Sequence, residues 1–286
     1  MSAKDFKIRS ILYPTDFTSG SIVSFCHALR IAVANRSSLH LLHVEVPGRR
    51  RDDAHFPRVR ELAAEWKMAP SGVQPDEFEK LTGVSTKKTV LISSDAADGI
   101  SSYAGEHSCD LLVMTTHGKS GLRRLFGGSV SEAAARATRA PTLFLRESHS
   151  GFVNRNTGEA SLTRILLPVD GRTPVSRALE LSTHLARSLG SEPQITSLHV
   201  GRERPTQDAN YPNLKIRDGE LVETIVACAG EMRADLIVMQ TDGHDSALDS
   251  IIGSTTERVI HEAPCPVLAI PRSSLDDVNR ERLFGR

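Results

Sequence analysis

The residues whose types and spacing point most directly to chemistry fall in one stretch, Met114-Thr115-Thr116-His117-Gly118-Lys119-Ser120-Gly121-Leu122-Arg123-Arg124-Leu125-Phe126-Gly127-Gly128-Ser129-Val130-Ser131-Glu132. Ser129 with Glu132 three positions later forms a capping box, which predicts a helix beginning at or just after Ser129. A helix start offers unpaired N–H groups and the positive end of the backbone dipole. Gly128 has no Cβ, so a ligand can come close to the backbone there. Lys119, Arg123 and Arg124 add positive charge to the same loop. Together these features suit an anion such as a phosphate group. Taken alone, Gly-Ser before a helix serves equally as a plain cap, and basic loop residues as solvated surface. Gly118-Lys119-Ser120 is not part of a P-loop, because Val113 stands where the first P-loop glycine would be.

A second group lies far away in sequence. Pro14-Thr15-Asp16 ends an apolar run that reads as the first strand. In a doubly wound sheet, ligands sit outside the strand C-termini where the winding reverses. If the first and fourth strands are neighbours, Asp16 faces the glycine-bearing loop across a crevice. Its carboxylate can accept a hydrogen bond from an adenine amine or a ribose hydroxyl. The alternative role is an N-cap for the helix that follows.

The elements needed to position these residues are readable as alternating patterns. Ile8–Tyr13, Leu39–Val44, Thr89–Ile92, Leu111–Thr115 and Thr142–Leu145 read as strands, and Ser21–Ala34, Ala96–His107 and Ser129–Thr138 as helices. Apolar, non-alternating strands between helices argue for an α/β fold with a parallel sheet covered on both faces. The pattern then repeats. Ile11–Asp16 recurs as Ile165–Asp170 at an offset of 154, and His43-Val44 as His199-Val200 at 156. Asp110–Met114 recurs as Asp235–Met239, and Gly128-Ser129 as Gly253-Ser254, both at 125. The chain is therefore a duplicated domain. The drop in offset leaves 31 residues missing from copy two after its second strand. Copy one has the amphipathic stretch Val59–Met68 there, so copy two is expected to lack one crossover helix or keep a vestige. The expected division is a first domain over 1–147, a polar linker over 148–161, a shortened second domain over 162–272 and a charged tail over 273–286.

The bulk composition narrows the function. Of the 286 residues, 35 are basic and 35 acidic, so no global charge favours nucleic acid or an anionic membrane. Cys26, Cys109, Cys228 and Cys265 form no C-x-x-C pair, and buried free thiols are the expected state. The N-terminus has no apolar leader region and no stretch is long enough to span a bilayer, which together favour the cytoplasm. There is no G-x-S-x-G elbow and no H-E-x-x-H, so catalysis is not the leading expectation.

On these motifs the chain resembles the universal stress protein family, and the resemblance extends over nearly the whole chain, twice. The family's nucleotide motif is Gly, two residues, Gly, nine residues, Gly, then Ser or Thr. Copy one has Gly118, nine residues, Gly128 and Ser129, and copy two has Gly243, nine residues, Gly253 and Ser254. Thr115 and Gln240 replace the first glycine in the two copies. The resemblance implies two tandem Rossmann-like domains, each with a five-stranded parallel sheet of order 3-2-1-4-5. It also implies ATP as ligand, with Mg²⁺ bridging the phosphates. Pro14, Thr15, Asp16 and Val44 would surround adenine, with Asp16 also near the ribose. Met114, His117 and Gly118 would line the ribose and first phosphates. Gly128, Ser129, Val130 and Ser131 would hold phosphates at the helix start, with Lys119 and Arg123 beside them. The last strands of the two copies would pair as an intramolecular pseudo-dimer, with assembly into a homodimer left open.

The copies differ in loop charge. Where copy one has Lys119, Arg123 and Arg124, copy two has Asp242, Asp245 and Asp249. Copy one is therefore expected to bind ATP, and copy two weakly or not at all. The competing expectations are weak ATP hydrolysis, with His117 orienting water, and a nucleotide-free scaffold for a protein partner.

Overall fold

The protein was analysed as a computed structural model that describes residues 7–48, 55–116, 130–138, 140–171, 173–205, 211–241 and 254–271. Copy one contributes β1 (Ser10–Pro14), α1 (Ile22–Asn35), β2 (Ser38–Glu45), α2 (Val59–Glu65), α3 (Pro75–Thr82), β3 (Thr86–Ile92), α4 (Ala96–Glu106), β4 (Leu111–Thr116), α5 (Val130–Ala137) and β5 (Thr142–Arg146). Copy two contributes β6 (Arg164–Val169), α6 (Ser176–Ser188), β7 (Gln194–Val200), β8 (Lys215–Arg217), α7 (Leu221–Glu231), β9 (Leu236–Thr241), α8 (Ser254–Glu262) and β10 (Val267–Pro271).

The ten strands form one sheet in the order β3-β2-β1-β4-β5-β10-β9-β6-β7-β8. Each half has the expected 3-2-1-4-5 order and is parallel within itself. The halves join where β5 and β10 run antiparallel, with Leu143 opposite Leu268. Each last strand thus covers the other's edge, removing two rows of unpaired backbone groups from solvent.

Charge and capping explain several element boundaries. Asp110 precedes β4, and its Oδ2 accepts from the Arg9 and Ser10 N–H groups at 2.7 and 3.0 Å. Asp235 does the same for Thr163 and Arg164 at 3.0 and 2.8 Å. This shared stitch between the starts of the first and fourth strands gives the repeated Asp-Leu pair its physical purpose. Asp95 caps α4 by accepting from the Ala97 and Asp98 N–H groups. α1 and α6 cover one face of the sheet in a continuous core spanning both copies. α4 and α5 cover the opposite face of copy one, and α7 and α8 that of copy two. All four cysteines are buried and free.

One expectation needs correction. The β2–β3 crossover of copy one holds two helices, α2 and α3, where the periodicity pointed to one over Val59–Met68. α3 has Pro75 in its first turn, Asp76 and Glu77 near its N-terminus and Gly83 at its end, which are ordinary start and stop signals. Its eight residues are too few for a strong periodic pattern. Among the described residues, copy two has no helix between β7 and β8.

The stretch expected as a polar linker includes a small antiparallel bridge between Val153 and Ala160, with Phe152 and Val153 buried in the main core. It is tied down on copy one. Trp66 Nε1 donates to the Arg155 carbonyl at 2.9 Å, and Arg30 Nε to that of Gly158 at 3.0 Å. His27, fully buried on α1, accepts at Nε2 from the Phe152 and Val153 N–H groups at 3.0 and 3.2 Å. Gly151 takes φ +68°, and a Cβ there would stand 2.3 Å from His27 Nε2. Gly151→Ala should therefore destabilise the chain by about 2–4 kcal/mol through backbone strain and loss of this docking. Urea unfolding followed by circular dichroism would show a lower midpoint, and an unchanged midpoint would mean that the linker docks another way.

Candidate functional site

The site follows from strand pairing and side-chain parity. β1 and β4 are adjacent, with Ile11 opposite Leu111 and Leu12 opposite Leu112, so their C-terminal ends lie side by side. Side chains alternate along a strand. Leu12, Leu42, Leu112 and Met114 belong to the core beneath α4 and α5, with Val44 packed against it. Pro14 shares the parity of Leu12, so Pro14, Val44 and Met114 come to one face. α5 links the C-terminal end of β4 back to the start of β5, and its Ala133 and Ala134 pack on this same core. Its N-terminus, beginning with exposed Val130 and buried Ser131, therefore lies at the edge of the sheet reached by β1.

Asp16 is exposed just beyond β1, and its Oδ1 accepts from the Thr18 N–H at 3.0 Å and from the Thr18 hydroxyl at 2.7 Å. This is a local turn rather than the N-cap expected as the alternative, because Ser21 stands at the N-cap of α1, and a carboxylate with two oxygens can serve both the turn and a ligand. Thr15 is buried and built into the backbone network. Its N–H donates to the Leu42 carbonyl at 2.8 Å, and its Oγ1 accepts from the Phe17 N–H at 3.0 Å. By parity it belongs to the α1 side, so it supports Asp16 from behind. His117, Gly118, Lys119, Arg123, Gly128 and Ser129 lie outside the described residues. At the end of β4, the buried Thr116 hydroxyl has no hydrogen-bond partner among the described residues, and Thr241 repeats this in copy two. A buried hydroxyl left unpaired costs about 1–3 kcal/mol, so these two positions suit a polar ligand group or water. Thr115, in place of the family's first glycine, hydrogen-bonds through its hydroxyl to Ser24 of α1, which turns its side chain to the other face.

A support layer behind the site escaped the sequence reading. His43 Nδ1 donates to the Thr15 carbonyl at 2.8 Å, and His199 Nδ1 to the Val169 carbonyl at 3.1 Å. The repeat of His43-Val44 as His199-Val200 was the available signal: one residue braces the strand end while its neighbour faces the crevice. Phe17 lies against the His43 ring at 4.2 Å between centroids and meets Phe56 edge-on at 5.2 Å. It does so at φ +61°, whereas its counterpart in copy two is Gly171 at φ +76°. A non-glycine residue there costs of order 1–3 kcal/mol and persists only where packing holds it. The face opposite also differs between copies. A Cβ on Gly99 of α4 would be 2.9 Å from Val44 Cγ1, and the matching position of α7 is Thr224. The two copies thus differ in both walls around the strand ends as well as in loop charge.

Comparison with known proteins agrees with this architecture. The universal stress protein family matches residues 7–146 and 212–271. A universal stress protein of Methanocaldococcus jannaschii is 25% identical over 157 residues, covering 50% of this chain and 97% of that protein. One from Synechocystis is 44% identical over 55 residues, 19% of this chain and 35% of that one. Among solved structures, a universal stress protein from Archaeoglobus fulgidus superposes with a TM-score of 0.64 at 19% identity, covering 95% of this chain and 98% of its own. A further structure, from Pseudomonas aeruginosa, gives 0.62 at 19% identity, covering 98% of each chain. These two structural likenesses speak for the fold in both copies. With the family matched across most of the chain, on either side of the β5–β10 seam, this chain belongs to the universal stress protein family.

Proposed function

We propose that the chain is a nucleotide-binding regulatory protein of the stress response, with copy one holding ATP in the crevice between β1 and β4. The observation that carries this reading is the convergence of Pro14, Val44 and Met114 on one face, with Asp16 at its rim and the start of α5 beside it. Adenine would lie against Pro14 and Val44, and Asp16 would accept from its amine or from the ribose. Met114, His117 and Gly118 would follow the ribose toward the phosphates. Gly128, Ser129, Val130 and Ser131 would meet the phosphates with backbone N–H groups at the helix start. Lys119 and Arg123 would neutralise part of their charge. Mg²⁺ would arrive on the phosphates, since Asp16 alone is no carboxylate cage. We read the β5–β10 seam as the pairing of two such domains within one chain.

The test is titration calorimetry with ATP on the full chain. One site per chain is expected, because the acidic loop of copy two opposes a triphosphate. A unit charge pair at 4 Å is worth about 1 kcal/mol even at water-like screening, so three acidic residues would weaken binding by roughly ten- to a thousandfold where they face the phosphates. Two equal sites would overturn the asymmetry. No binding, with an unmoved melting temperature, would overturn the nucleotide reading itself.

A further inference from the structure

The seam between the copies carries a cluster of side chains that nucleotide binding does not use. Glu132 and Arg136 of α5 occupy the same positions in copy one as Glu257 and His261 of α8 in copy two, each at the offset of 125. They meet in crossed pairs. His261 Nε2 lies 2.7 Å from Glu132 Oε1, and Arg136 Nη2 lies 3.4 Å from Glu257 Oε1 and 3.9 Å from Glu132 Oε2. The Glu132 side chain is only 1% exposed, and those of Arg136, Glu257 and His261 are 28–29% exposed.

The asymmetry is chemically significant. A second arginine at 261 would close the quartet with two permanent cations against two carboxylates. An arginine has no lone pair to offer a metal, whereas a neutral imidazole does. With histidine there, Arg136 is the one permanent cation of this quartet. One donor atom each from Glu132, Glu257 and His261 lies within 4.8 Å of the others. Two carboxylates and one imidazole are a donor set for a borderline first-row divalent cation, not for Mg²⁺ or Ca²⁺, which favour all-oxygen shells.

We propose that Glu132, Glu257 and His261 form an inter-copy site for a Zn²⁺-like divalent cation, which clamps α5 to α8 across the seam. Arg136 remains beside the carboxylates as their outer partner, and water completes the coordination. Because the ligands come from both copies, occupancy favours the joined arrangement and stabilises the chain by mass action.

The test uses full-length, chelator-treated, nucleotide-free protein titrated with ZnCl₂, read by calorimetry and by thermal melting. One Zn²⁺ per chain is expected, with a melting temperature that climbs with free Zn²⁺ and is unmoved by equimolar Mg²⁺. His261→Arg keeps a positive partner for Glu132 but removes the lone pair, and Glu257→Gln removes a carboxylate at a partly exposed position. Each should weaken Zn²⁺ binding at least about tenfold, the lower end of what even an outer-shell partner contributes. Unchanged affinity in both variants would place the metal elsewhere and overturn the proposal. Absence of Zn²⁺ uptake by the unaltered chain would also overturn it, leaving a proton-linked ion pair at the seam.

Discussion

Gly128→Val is expected to abolish measurable ATP binding while leaving the circular dichroism spectrum and the nucleotide-free melting temperature close to those of the unaltered chain. On the proposed binding mode, a branched side chain at residue 128, two positions before α5, would block the approach of a phosphate to the backbone N–H groups. The loss should be at least about a hundredfold in Kd, near 2.7 kcal/mol. Asp16→Ala should weaken binding by roughly ten- to a hundredfold, because it removes a charged hydrogen-bond acceptor worth about 1.5–3 kcal/mol. It should also cost about 1 kcal/mol of stability, since Asp16 holds the Thr18 N–H and hydroxyl at the turn into α1. Asp16→Asn separates the two effects: it retains an oxygen for the turn and lowers affinity with little change in melting temperature. Calorimetry paired with melting curves distinguishes these outcomes. Full-strength ATP binding by both Gly128→Val and Asp16→Ala would move the ligand away from the β1–β4 crevice.

The second large effect concerns His27. Its ring lies wholly inside the protein, with Nδ1 donating to the Val23 carbonyl at 2.7 Å and Nε2 accepting from two linker N–H groups. His27→Leu fills similar space but orphans the two linker N–H groups, at about 1–3 kcal/mol for each left without a partner, while the Val23 carbonyl keeps its intrahelical bond within α1. Relaxation lets some reach water, so the expected cost is about 3–5 kcal/mol, visible as a lower urea midpoint. The same geometry sets a pH dependence. Burial pushes the imidazole down from 6.5 to about 4, so between those values the unfolded chain binds more protons than the folded one. Stability from this group is therefore complete above about pH 6.5 and is lost as pH falls toward 4. A shift of this size corresponds to about 3 kcal/mol. In His27→Leu, stability should fall less steeply between pH 6.5 and 4, and a slope equal to that of the unaltered chain would exclude His27 as its source.

Much of the architecture was legible because duplication supplies an internal comparison. Ile11–Asp16 against Ile165–Asp170, and Asp110–Met114 against Asp235–Met239, located the first and fourth strands of each copy. Strand C-termini at a switch point then made the Asp16 region a candidate. The short helix α3 was signalled by Pro75, Asp76, Glu77 and Gly83, but periodicity over eight residues is weak evidence. The linker hid its docking for a different reason. Its composition is polar, yet two apolar residues, Phe152 and Val153, and a set of backbone hydrogen bonds are enough to dock it on α1 and α2.

Sequence by itself determined the duplication, the strand–helix alternation, the 31 residues that copy two lacks after its second strand and the identity of the residues at the strand ends. These are properties of local pattern and spacing, which a linear chain carries openly. Tertiary structure decided which of those residues share a face: Val44 with Met114 under α4 and α5, and Thr115 turned to Ser24 on the opposite side. It alone brought Glu132 to His261 and the linker to His27, because such contacts join residues more than a hundred positions apart. Their energies depend on burial and mutual orientation, quantities that no run of neighbouring residues records.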